Sequence, residues 1–385
     1  MDKIYLDNGA TSFPKPKEVA DAVYEYMTVV GANINRGGYQ VAYDLEGTVF
    51  ETREMLAEMF GGGDCKNVVF TKNITESLNV VLKGFLQPGD HVLCSSMEHN
   101  AVMRPLVQLE KKGVEFDRIP GNEKGELDLD AVEGMIKENT AAIVMTHASN
   151  LVGTVNPIKE VGQICRKHGL AFIVDAAQTA GVLPIDMKEM CIDALCFTGH
   201  KSLLGPQGIG GFIIRDHMVE LIDPLLSGGT GSISHTEEIP DFMPDRFEPG
   251  TMNIPGIVGL HASLKWIKEK GIDTIETYEL GLTQRFLDGL IPLEEKGLIK
   301  IIGLKGTEGR TAVVSIQTLS VDCADAAFRL DFEYGIMTRV GLHCAPNAHK
   351  TLGTFPTGTI RFSFGIFNTE EEVDTAIRAI TEICS

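Results

Sequence analysis

With 385 residues the chain is longer than one hydrophobic core usually serves, so two lobes are expected, and 43% apolar residues suffice to fill both. A formal net charge of -19 with no segregated basic patch excludes nucleic acid and an anionic membrane surface as partners. The first residues, MDKIYLDNGATS, lack the basic-then-apolar pattern of a signal peptide, and no apolar run approaches the ~20 residues of a membrane span, so a cytoplasmic protein is expected.

YLDNGATSFPKP reads as an edge strand turning into a loop, after which Lys17 to Val30 has helical periodicity. GANINRGGYQ follows, a glycine- and asparagine-rich loop that either approaches a ligand or simply connects. A second helix is predicted from Tyr43 to Phe60, ended by Gly61, Gly62 and Gly63. From Asn67 onward the strand candidates VVFT, HVLCS, VEFDRI, AAIVMT, LAFIV, DALCF and GGFII alternate with helical stretches. That alternation predicts an α/β layer with a largely parallel sheet covered on both faces.

Ligands on such sheets gather beyond the carboxyl ends of the strands, and there the polar residues fall. After VVFT, Asn73 and Glu76 have capping-box spacing, so a helix begins near Thr75 with free amides able to take a phosphate, or simply with an ordinary cap. HVLCS is followed by Glu98 and His99, whose imidazole suits stacking on an aromatic cofactor and catalytic proton handling near neutral pH, or else a structural role. Asn150 follows AAIVMT, and Asn156-Pro157 is expected to cap the next helix. LAFIV leads to Asp175 and Gln178, and DALCF leads to Thr198, His200 and Lys201 in FTGHKSLLGPQGIGG. A lysine on one strand end and a carboxylate on its neighbour's suggest pyridoxal phosphate, with the amine forming a Schiff base and the acid holding the pyridine nitrogen protonated. Alone, such a lysine is more often solvated surface; five consecutive strand ends bearing such groups are hard to explain by packing.

FEPGTMNIPGIVGL then sets Thr251 in a tight turn ahead of a helix from Ile257 to Lys270. Beyond it the pattern becomes α+β, with helices at Thr274 to Leu290, Cys323 to Tyr334 and Thr369 to Cys384, and strands at LIKIIG, TAVVSIQ, GIMTRV and TIRFSF. A large domain over 14–256 and a small C-terminal one over 257–385, joined by 1–13, are expected. The eight cysteines form no CxxC pair, which argues against structural zinc, and most lie in apolar segments as reduced hydrophobes. Cys344, in GLHCAP between an arginine-bearing segment and a proline, suits exposure and reactivity.

Assembled, these motifs resemble the class V aminotransferase family of fold-type I pyridoxal-phosphate enzymes, and within it the cysteine desulfurases and selenocysteine lyases of the SufS-like group. The likeness runs nearly end to end through YLDNGATS, TESLNVV, MEHNA, SNLVGT, VDAAQ, FTGHK with GPQGIG, FEPGTMN, RVGLHCAP and IRFSFGIFNTEEEVD. It implies Lys201 as the Schiff-base lysine, Asp175 as pyridinium partner, Gln178 as donor to the cofactor's phenolic oxygen and His99 stacked on the ring. Thr75, Thr198 and His200 would hold the phosphate, with Thr251 reaching over from the other subunit of a homodimer. Arg361 with Asn150 would grip the substrate carboxylate, Arg339 would also serve substrate binding, and Cys344 would accept sulfur from L-cysteine as a persulfide, leaving alanine, before passing it to an acceptor protein. L-selenocysteine and cysteine sulfinate are further substrates the group implies. On the same scaffold a C-S lyase or an aminotransferase is the nearest alternative, and a non-catalytic partner in sulfur-transfer assembly is the alternative of another class. The chain departs from the group in the early loop, where a pattern like NVHRGIH is replaced by NINRGGY, with Asn35 and Tyr39 in place of histidines.

Overall fold

The computed structural model describes residues 3–34, 38–233 and 235–385. Asn35 lies outside them, and Tyr39 is an exposed residue just ahead of the helix Gln40–Phe60. The strands in chain order are β1 (Ile4–Tyr5), β2 (Val68–Thr71), β3 (His91–Ser95), β4 (Glu115–Ile119), β5 (Thr140–Thr146), β6 (Ala171–Asp175), β7 (Ala194–Thr198), β8 (Gly210–Ile214), β9 (Ile299–Ile302), β10 (Val313–Thr318), β11 (Ile336–Met337), β12 (Arg339–Gly341) and β13 (Thr359–Ser363).

β2 to β8 form a seven-stranded sheet in the order β2-β8-β7-β6-β5-β3-β4. β3 to β7 pair in parallel, and β8 alone is reversed, antiparallel to both β2 and β7. The loop between β7 and β8 carries no helix, so the chain returns beside β7 instead of crossing over. Alternate strand residues serve opposite faces. Ile143, Phe172, Val174, Leu195 and Phe197 belong to one apolar core, whereas Ala142, Val144, Ile173, Ala194 and Cys196 belong to the other.

A second body is an antiparallel sheet, β12-β13-β10-β9, covered by the helices Ile272–Glu295, Cys323–Tyr334 and Glu370–Cys384 around a third core. The N-terminal strand joins this body: β1 pairs with β11, Asp7 bridges to Ser363, and Leu6 is buried in the same core.

Several sequence expectations shift. The boundary at residue 257 cuts the helix Ile254–Lys270, whose buried Ile257, Leu260, Leu264 and Ile267 pack in a core of the large sheet, so the change of body falls after it. Asn253, not a later residue, caps that helix through Gly256 N at 3.1 Å. GIMTRV divides at Thr338 into β11 and β12, which belong to different sheets. Asn156 caps nothing: its Nδ2 donates to Thr146 O at 2.7 Å, tying a loop to the end of β5, and the helix Ile158–His168 has no side-chain cap.

Candidate active site

Asn73, Ile74, Thr75, His99, Thr146, Asn150, Asp175, Gln178, Thr198, His200 and Lys201 line one cavity of about 280 Å³ beyond the carboxyl ends of the parallel strands. Eight residues proposed from sequence thus come together: Thr75, His99, Asn150, Asp175, Gln178, Thr198, His200 and Lys201. One end is the start of the helix Ile74–Phe85. Asn73 Oδ1 accepts from Glu76 N at 3.0 Å, and the Glu76 carboxylate reaches back to Lys72 N at 2.7 Å, which leaves the first amides of the helix free toward the cavity. Near that end Thr198 Oγ1 and His200 Nδ1 are buried and without a hydrogen-bond partner among the described residues. An anion would satisfy them, and a phosphate fits a helix start of this kind.

Asp175 ends β6 and is 2% exposed. Ala177 N donates to its Oδ1 at 2.9 Å. Burial pushes its pKa up, opposed by that amide and by the Lys201 charge, so a cationic ring nitrogen is the partner such a carboxylate lacks. Burial lowers the Lys201 amine to about 8, against the pull of Asp175 and helped by Arg361 and Arg339. His99 is likewise held neutral, at about 4, by burial and then by Lys201. Ala101 N donates to its Nδ1 at 3.0 Å, so the proton of the neutral ring sits on Nε2. Gln178 Nε2 donates to Gly9 O at 3.0 Å and keeps a second hydrogen for a ligand. These residues fit pyridoxal phosphate in kind: an amine, a buried acid, a flat imidazole and an anion cradle.

Arg361 and Cys344 approach from the second sheet. Arg361, on β13, is fully buried: Nη2 donates to Asp7 Oδ1 at 2.6 Å, Nη1 donates to Asn150 O at 2.9 Å, and Nε has no partner. Asn150 Nδ2 in turn donates to His343 O at 2.8 Å. His343 and Cys344 are consecutive left-handed residues, with φ of 47° and 58°, a strained pairing for non-glycines. The strain is held by Asn100 N donating to Cys344 O at 2.8 Å and by the buried His343 ring, which contacts Thr359 Oγ1 at 3.0 Å and stacks on His349 at 5.6 Å. Cys344 itself is exposed, with Arg339 Nη2 at 3.5 Å from its Sγ. The other cysteines are buried or half-buried. Thr251 does not reach this cavity; it is exposed and borders separate hollows with Glu248, Gly250 and Met252.

Sequence reasoning named Glu98 without giving it a role and missed the segment Asp7–Lys15. Glu98 is 1% exposed and accepts from Thr146 N at 2.8 Å and from Ser95 Oγ, the residues that end β5 and β3. Its signal was an acid in MEHN directly after an apolar strand. Asp7, Gly9, Ser12 and Lys15 lay in what reads as a connecting loop, and only the density of small polar residues there hinted at contacts.

The family model Aminotransferase class-V matches residues 4–375. The chain is 36% identical over 390 positions to a probable cysteine desulfurase of Pyrococcus abyssi (strain GE5 / Orsay), covering 100% of this chain and 94% of that protein. It is 33% identical over 385 positions to a cysteine desulfurase of Haloferax volcanii, covering 98% and 88%. Among solved structures, the apo cysteine desulfurase from Thermococcus onnurineus NA1 superposes with a TM-score of 0.92 at 35% identity, covering 99% of this chain and 94% of that one. The cysteine desulfurase CsdA from Escherichia coli, in its S-sulfonic acid form, gives 0.87 at 28% identity with the same coverage.

Proposed function

The chain belongs to the class V aminotransferase family, and from that premise we propose that it is a pyridoxal-phosphate-dependent cysteine desulfurase, converting L-cysteine to L-alanine and leaving the sulfur on Cys344. The observation that carries the reading is the meeting of Lys201 and Asp175 in one cavity, with an exposed thiol on a strained loop tied by its backbone to Asn150 of that cavity and to Asn100.

Pyridoxal phosphate joined to Lys201 Nζ supplies an electron sink that acidifies the Cα hydrogen of a bound amino acid. Thr198 Oγ1, His200 Nδ1, Thr75 and the helix start would hold its phosphate; Asp175 would keep its ring nitrogen protonated, and Gln178 and His99 would help to hold the ring. The buried Arg361 Nε, with Asn150 beside it, offers a donor to the substrate carboxylate. An amine at about 8 is poised near neutrality, so Lys201 Nζ accepts the Cα proton once displaced and returns it. Cys344 Sγ then attacks the substrate's sulfur. The Sγ-S bond forms, the C-S electron pair stays with the carbon, and protonation there completes alanine. The Arg339 guanidinium stands 3.5 Å from that Sγ.

A homodimer in which Thr251 completes the other subunit's phosphate site accords with its exposure outside its own cavity, beside exposed Leu225 and Leu226. Eight free cysteines accord with a reducing, cytoplasmic setting, and the exposed Cys344 suits an acceptor protein.

The test is incubation of the holoenzyme with L-cysteine, assaying alanine and mapping added mass by peptide. One extra sulfur on Cys344, and at least a ~100-fold loss of alanine formation in Cys344→Ala, are expected. Pyruvate in place of alanine, or undiminished turnover in Cys344→Ala, would overturn the reading in favour of a C-S lyase.

A further inference from the structure

The segment Asp7–Lys15 touches both halves of the site without lining the cavity. Asp7 holds Arg361, Gly9 O receives Gln178 Nε2, and Gly9 N donates to Ser363 Oγ at 2.7 Å. Its far end closes on the peptide just ahead of Lys201. His200 O is approached by Ser12 N at 3.0 Å, Thr11 Oγ1 at 3.1 Å, Ser12 Oγ at 3.3 Å and Lys15 Nζ at 2.7 Å. Ser12 Oγ also lies 2.9 Å from Lys201 O and receives Lys15 Nζ at 2.6 Å.

A carbonyl oxygen has two lone pairs, so donors from three residues are more than it needs. Lys15 is the charged one. It is half-buried, and no carboxylate pairs with it among the described residues. Drawing an unpaired ammonium out of water costs free energy that a neutral donor at the same place would not, and here the charge is directed at a single backbone oxygen. Hydrogen bonds from a cation are shorter and roughly twice as strong as neutral ones.

We propose that Lys15 is a positioning residue for Lys201: it pins His200 O directly and Lys201 O through Ser12, fixing the backbone from which the Lys201 side chain enters the cavity. The inference rests on Lys201 as the attachment point of pyridoxal phosphate. A side chain rooted in a clamped peptide samples fewer directions, so its amine meets an incoming aldehyde in reactive geometry more often. Burial lowers Lys15 to about 8, so its charge fades as the pH rises past that value, whereas an arginine in its place stays charged.

The experiment follows uptake of pyridoxal phosphate by the cofactor-stripped full chain, through the rise of visible absorbance. Lys15→Met is expected to slow uptake about tenfold with little change in the thermal midpoint before loading. Ser12→Ala should slow it in the same direction. Lys15→Arg should restore most of the rate, and its ratio to the wild-type rate should climb between about pH 7 and 9, because only the wild type loses its charge there. Dividing the two rates cancels the titration of Lys201 common to both. Wild-type uptake in both Lys15→Met and Ser12→Ala, or a flat ratio, or a slowing that only follows a lowered thermal midpoint and is not restored by arginine, would overturn the proposal. A wild-type chain that takes up no cofactor would instead overturn the reading of Lys201 and the inference with it.

Discussion

Glu98 has one carboxyl oxygen hydrogen bonded to Thr146 N and Ser95 Oγ, while Oε2 is buried with no partner. Burial pushes its pKa up to about 8, opposed by those donors and reinforced by Asp175. The neutral acid therefore suits the site: a second anion beside Asp175 would compete for the same cationic ring. The sign follows from proton counting. Between about pH 4.5 and 8 the folded chain keeps a proton on Glu98 that the unfolded chain has released, so stability falls as pH rises through that window. Glu98→Gln is isosteric and cannot ionise. Chemical denaturation from pH 5 to 9 should show the wild type losing stability relative to the variant by on the order of 2–4 kcal/mol across the window. A constant difference between the two proteins would mean that Glu98 is ionised throughout. The identity of this residue was plain in MEHN, but its burial was not, because an acid after a strand is as readily solvent-facing as enclosed.

At the scale of elements, the start of the helix Ile74–Phe85 is placed by a strand beneath it. A Cβ on Gly210 of β8 would lie 2.8 Å from Phe197 O and 2.9 Å from Asn73 Cα, both backbone atoms that cannot swing aside. GPQGIGG was therefore readable as a loop beside the lysine, but its glycines also serve a close approach of three chain segments that no local pattern encodes. Gly210→Ala should push the Asn73 cap away from Thr198 and His200, weakening pyridoxal phosphate binding by about tenfold in an absorbance titration. Gly134→Ala, where a Cβ would meet nothing within 4 Å, is the control and should leave the affinity unchanged. Equal affinities in both variants would show that the helix start tolerates displacement. The Cys344 loop has the same character: its cysteine was legible from composition, whereas the two left-handed residues depend on Asn100, Asn150, Thr359 and His349, which lie far off in sequence or on a different element.

For the whole molecule, the sequence exposed whatever repeats locally and hid whatever joins distant segments. Alternating strands and helices announced the parallel layer, and the polar residues after successive strands announced the cavity. The reversal of β8, the splitting of GIMTRV between two sheets and the closure of Asp7–Lys15 on His200, 185 to 189 residues away, leave no periodic trace. Thr251 poses the largest-scale question, since it borders hollows of its own chain that lack Lys201, and the proposed dimer requires it to serve the other subunit's site. Two crippled chains separate the cases. Lys201→Ala lacks the attachment amine but presents an intact Thr251, whereas Thr251→Arg retains Lys201 and blocks the site opposite. Refolded together in equal amounts, half the dimers are mixed, and each mixed dimer holds one site with both residues native, so about a quarter of all sites should be whole. Alanine formation from L-cysteine should therefore recover to about a quarter of the wild-type rate in the mixture, while each variant refolded alone stays near zero. If Thr251 served its own chain, no combination of the two would assemble a native site, and the mixture would be as inactive as its parts.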